Sequence, residues 1–218
     1  MKKTLLVLWI LLALSVIGLS NTAIASLKHH NSELQTSYTP AEVNLNKAMR
    51  ALWEDHVIYT HLYVISALGD QPNADILAKR LLRNQDDIGN AIKPYYGNAA
   101  GAKLTAILRD HILIAAEVVK AAKMNNSDDL KTSSKKWRDN AVELATFLSS
   151  ANPNWSKDKI QKMLFMHLDL TTNNVVARLH KDWKKDIATF DEGEAFMLDF
   201  ADTLSNGIIK QFPNKFKS

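Results

Sequence analysis

After Thr39 the apolar residues recur at three- and four-residue spacing, the periodicity of amphipathic helices. The first stripe is Leu45, Met49, Leu52, Tyr59 and Tyr63; the second is Leu77, Leu81, Ile88 and Ala91. Leu104, Leu108, Ala115 and Val118 follow, then Leu130, Trp137, Leu144 and Phe147, then Ile160 and Leu164. Val176, Leu179, Trp183, Phe190, Met197, Phe200 and Leu204 form the last. No stretch alternates with period two between turn signals, so nothing reads as strand.

Local signals divide these stripes into helices. Thr39-Pro40-Ala41-Glu42 is a capping box with proline at the first helical position. That helix runs to Leu68, where Gly69-Asp70 stops it. A second opens at Pro72 and ends near Lys93, before Pro94-Tyr95-Tyr96-Gly97; a third spans about Ala99 to Lys123. Asn125-Asn126-Ser127 breaks the chain, and Asp128-Asp129 suits the first turn of a fourth, which runs to about Ser150. Ala151-Asn152-Pro153-Asn154 is a turn, and Ser156 caps a fifth helix to about Leu170. Thr171-Thr172 either caps a sixth or is passed through, and the helical pattern ends before Pro213. The short connections predict an all-α, up-and-down bundle of five to six antiparallel helices over residues 39–218.

The N-terminus is different. Met1-Lys2-Lys3, the apolar run Leu5 to Leu19 and Ala23-Ile24-Ala25 follow the order of a secretory signal peptide, with cleavage near Ala25. The run has 15 residues, short of the roughly 20 that span a membrane. The reading is therefore a protein secreted or periplasmic, with no transmembrane segment in the mature chain. Residues 26–38, including His29-His30, are polar and aperiodic and read as a flexible leader.

Charge and composition exclude several classes. Without Lys2 and Lys3 the 27 basic residues fall to 25, against 23 acidic ones, too even a balance for a nucleic-acid partner. Cysteine is absent, which removes disulfides, thiolate metal sites and a cysteine nucleophile. No phosphate-binding glycine loop, G-x-S-x-G, H-E-x-x-H or Glu-x-x-His pair occurs. The Tyr95-Tyr96-Gly97 and Asn152-Pro153-Asn154-Trp155 turns read as aromatic lids at opposite ends of the bundle, or as surfaces for an envelope protein.

One constellation breaks the apolar seams. His56, Asn84, His111, Asn140 and His167 each occupy a seam position on successive helices, separated by 28, 27, 29 and 27 residues. Residues equally far from a shared turn stand at equal height in an antiparallel bundle, so the five form one mid-height polar layer. A buried polar group without a partner costs about 1–3 kcal/mol. Either the layer is a hydrogen-bond network that sets helix register, or it is a site. As a site, His56, His111 and His167, with Asp186 as a fourth ligand, suit Zn²⁺, Cu²⁺ or Fe²⁺; an organic ligand or a general base is the other use. Asp55 and Asp110 adjoin His56 and His111, and Asp169 is two residues past His167. As acceptors they could orient the rings, but neighbours on a helix point about 100° apart, which turns them to a different groove.

The segments LWEDHVIYTHLYVISAL (52–68), LLRNQDDIGNAIKPYYG (81–97), DHILIA (110–115), FLSSANPNW (147–155), HLDLTTNNVVARL (167–179) and GIIKQFP (207–213) together resemble an uncharacterised family of secreted bacterial helical proteins. Similar sequences carry automatic glycosyltransferase or acetylglutamate kinase labels. Both activities require a nucleotide-binding α/β architecture that these residues do not supply, and the resemblance implies no functional residues.

Overall fold

Thr39 caps the first helix as its sequence requires: its hydroxyl accepts from the Glu42 amide at 3.2 Å, and the Glu42 carboxylate accepts from the Thr39 amide at 2.7 Å. The computed structural model describes residues 38–217. The signal-peptide reading of residues 1–25 and the leader reading, up to residue 37, lie outside the described residues. The elements are α1 (Pro40–Leu68), α2 (Ala74–Lys123), α3 (Ser127–Ala151), α4 (Lys157–Leu179), α5 (Trp183–Gln211) and a closing 3-10 turn, Pro213–Lys215. The described residues are all-helical, with no strand. None of these helices is long and apolar enough to cross a membrane. Each helix packs on the next, and α1 also packs on α5.

Helix α2 corrects the boundary expected at Pro94. The helix continues through Pro94 and breaks at Gly97, whose φ of 84° is open to glycine at little cost. The two arms then pack on each other. Arg109 reaches Leu82 O at 3.3 Å and pairs with Asp86 at 3.1 Å. Gly89 and Gly101 face one another so closely that a Cβ on either would lie 2.7 Å from the other's carbonyl oxygen.

The chain passes straight through Thr171-Thr172. Both hydroxyls donate to the carbonyl four residues earlier, His167 O at 2.9 Å and Leu168 O at 2.8 Å, so neither is left to cap a new helix. The break comes instead at Lys181, a left-handed residue with φ of 58°, and Asp182 caps α5 through the Lys185 amide at 3.1 Å. Val176 and Trp183, expected on the core stripe, are consequently exposed beside this turn.

The main core joins Met49, Trp53, Leu104, Leu144, Met197 and Phe200 from four helices. A small separate cluster, Val64, Val119 and Val175, lies apart from it. The aromatic turns expected at opposite ends are in fact together. Tyr96 donates to Gln211 Oε1 at 2.8 Å and accepts from Asn152 Nδ2 at 2.9 Å, with its ring 5.8 Å from that of Trp155. These contacts bring the break at Gly97 and the Asn152 turn to one place.

Candidate functional site

All five residues of the expected polar layer are buried: His56, Asn84, His111, Asn140 and His167. The three imidazoles converge. The ring of His167 is 5.5 Å from that of His56 and 6.0 Å from that of His111, nearly parallel to the latter at 23°.

The two asparagines play matching parts. Asn140 Nδ2 donates to Ile107 O at 3.1 Å, and Asn84 Nδ2 donates to Leu52 O at 2.9 Å. Each thus binds the carbonyl four residues before a layer histidine and turns its own oxygen towards the layer. Asn140 Oδ1 accepts the proton on His111 Nδ1 at 2.8 Å, while Asn84 Oδ1 accepts from Gln85 Nε2 at 3.0 Å. Gln85 also donates to Leu81 O at 2.8 Å and faces His56 Nδ1 at 3.3 Å. Gln85 is fully buried and belongs to the layer, though sequence reasoning missed it; its one signal is a second amide beside Asn84. Trp137, expected only as core, donates its indole N–H to His111 Nε2 at 3.1 Å.

These bonds set two tautomers. His111 carries its proton on Nδ1, because Oδ1 of Asn140 only accepts and the Trp137 indole only donates. His56 faces an amide donor with Nδ1, so its proton is on Nε2. His167 has no hydrogen-bond partner for either ring nitrogen among the described residues. Neither its nitrogens nor His56 Nε2 is among the buried, unpaired atoms sealed from solvent, which are Trp53 Nε1, Arg80 NH1 and Gln85 Oε1.

Beside the layer lies a cavity of about 70 Å³, lined by the three histidines with Trp137, Val118 and Val175 among others. Its walls are almost wholly apolar and include no Lys, Arg, Asp or Glu. Burial pushes the His56 imidazole down to about 3 and His111 down to about 4; His111 adds to the effect on His56. Burial also holds His167 well below the usual range, with both neighbouring imidazoles adding to it. All three rings are neutral at pH 7. Thr60, His167 and Thr171 form the wall between this cavity and a smaller outer groove at Phe190 and Gly193.

Asp186 does not join the imidazoles. It is buried in a second cluster, where its carboxylate pairs with Arg178 and accepts from Asn174 Nδ2 at 2.8 Å. Asn174 Oδ1 in turn meets His61 Nδ1 at 3.1 Å. Asp55 and Asp169 face outward to Arg80 and Arg138, and Asp110 is exposed. Among the described residues no group of three His, Asp or Glu side chains is set to hold a metal ion. The arrangement suits hydrogen bonding by neutral imidazoles at an apolar wall. No protein-family model matches the chain, and no curated protein or solved structure is significantly similar to it.

Proposed function

We propose that this chain is an exported helical-bundle binding protein that takes a small, uncharged organic molecule into the cavity beside its histidine layer. His167 carries the reading: a buried imidazole with no hydrogen-bond partner among the described residues, at the wall of an apolar cavity. Burial without a partner costs about 1–3 kcal/mol, and unpaid costs of this kind concentrate at functional sites. The Lys2-Lys3, Leu5–Leu19 and Ala23-Ile24-Ala25 order supports export. Helices alternating in direction are supported by cross-helix pairs that run in opposite chain order. Lys103 meets Glu143 while Lys136 meets Glu117, and Asn46 meets Asp202 while His61 meets Phe190.

The test follows the methyl NMR signals of Val118, Val119 and Val175 during titration with a panel of small neutral organic molecules. Saturable shifts in the wild type, lost in a folded Ala115→Phe variant that fills the cavity, are the expected result. A panel that moves none of these methyls sinks the reading. Edman sequencing of the protein recovered from cells tests export: a mature chain beginning at Ser26 is expected, and an intact Met1 in the cytoplasm overturns it.

A transition metal is the second reading, favoured by the 5.5 and 6.0 Å spacings of the three rings. It requires Trp137 to release His111 Nε2. Elemental analysis after incubation with Zn²⁺, Cu²⁺ or Fe²⁺ decides it: one equivalent bound, lost together in His56→Ala, His111→Ala and His167→Ala, would replace the organic ligand with a metal.

A further inference from the structure

The donors and acceptors left over in the histidine layer define what group a ligand must carry. His111 offers nothing, because Asn140 takes its N–H and Trp137 its lone pair. His56 offers one donor, Nε2–H, since Gln85 faces its Nδ1. His167 offers one donor and one acceptor, both unused among the described residues. The imidazoles therefore offer two N–H groups and one lone pair at a mostly apolar cavity, whose lining also carries the hydroxyls of Thr60, Tyr63, Thr171 and Thr172.

Resting on the binding-protein reading above, we infer that the ligand is a short-chain aliphatic alcohol, its hydroxyl held between His56 and His167. A hydroxyl has one donor and two acceptor positions. It accepts from His56 Nε2–H and donates to the lone pair of His167, which rotation of the ring brings to face it. An ether or ketone only accepts and leaves that lone pair unfilled. A carboxylate or ammonium would enter a cavity with no counter-charge in its walls, at a desolvation cost that single hydrogen bonds do not recover.

Size narrows the class further. An apolar cavity of about 150 Å³ holds a benzene molecule, and this one is about 70 Å³. It suits a branched chain of roughly four carbons, packed against Val118, Val175 and Ala115. The hydroxyl then points at the imidazoles and the branched end at the valines, so polarity and shape agree on one orientation.

The experiment compares isobutanol, isopentane and isobutyrate on the protein recovered with its native N-terminus, by titrating the valine methyl signals and the imidazole ¹⁵N signals. Isopentane replaces the hydroxyl by a methyl group; isobutyrate replaces it by a charge. Isobutanol is expected to bind at least tenfold more tightly than either and to shift the ¹⁵N resonances of His56 and His167 but not those of His111. In His167→Leu, which keeps the cavity apolar and removes no hydrogen bond of the fold, the preference over isopentane is expected to vanish. Isopentane binding as tightly as isobutanol in the wild type would overturn the hydroxyl inference and leave the binding-protein reading standing. Methyl signals unmoved by all three compounds would overturn both, with the cavity then holding water or nothing.

Discussion

Trp137 donates its indole N–H to Nε2 of His111 over 3.1 Å, so that imidazole nitrogen is already occupied. With Asn140 on Nδ1, His111 is a fully satisfied buried histidine. Its neighbour His167, only 6.0 Å away between ring centres, has no such partner among the described residues. The layer thus contains one imidazole that builds the fold and one that the fold leaves free.

Trp137→Phe keeps the ring and removes the donor. The lone pair of His111 is then buried and unpaired, which costs about 1–3 kcal/mol. Urea unfolding is expected to show a loss of that size with an unchanged slope, and the His111 Nε2 resonance should move towards the value of a free lone pair.

Asn140→Ala removes two buried bonds at once, to Ile107 O and to His111. The expected loss is about 2–4 kcal/mol, larger than for Trp137→Phe, because a carbonyl and an N–H are both left without partners. Asn84→Ala is expected to behave alike through Leu52 O and Gln85. Thermal unfolding of the three variants side by side checks the order.

His167→Leu is expected to raise stability by about 1–2 kcal/mol, since it buries an apolar side chain where an unpaired imidazole stood. Chemical denaturation reads the change. A loss of stability instead would mean that His167 has a partner that supports the fold.

The layer also sets a pH dependence. Unfolded imidazoles take up protons near pH 6.5, whereas His56 does so only near 3 and His111 near 4, and His167 well below 6.5. Between those limits the unfolded chain holds more protons, so stability falls as the pH drops below about 6.5. Each imidazole contributes on the order of 1.4 kcal/mol per pH unit once its unfolded form is charged. Urea midpoints from pH 7.5 to 4.5 are expected to fall steeply below pH 6.5, and less steeply in His167→Leu.

Glycine positions divide by surroundings. Gly193→Ala meets nothing within 4 Å and is expected to stabilise by up to about 1 kcal/mol through helix propensity. Gly89→Ala drives a Cβ onto Thr105 and the Gly101 carbonyl, and is expected to cost about 1–3 kcal/mol by prying apart the arms of α2. Thermal unfolding distinguishes the two directions.

By itself the sequence determined the all-helical class of the described residues and which polar residues interrupt the apolar seams. Apolar spacing, the Thr39 capping box and the cap at Ser156 act within a few residues, and local signals of that kind persist in the folded chain. The positions of His56, Asn84, His111, Asn140 and His167 relative to the turns were legible for the same reason, since rise per residue is constant along a helix. The break at Lys181 was not legible, because no glycine or proline marks it and a lysine takes the left-handed conformation there at a cost of about 1–2 kcal/mol. Rotation about each helix axis was also hidden. Only tertiary packing decided that Asp186 turns to Arg178 and not to the imidazoles, that Gln85 and Trp137 enter the layer, and that His167 faces a cavity unpaired. Those outcomes depend on which side chains fill the space between helices, and that competition is between residues far apart in the chain, 111 positions for His56 and His167.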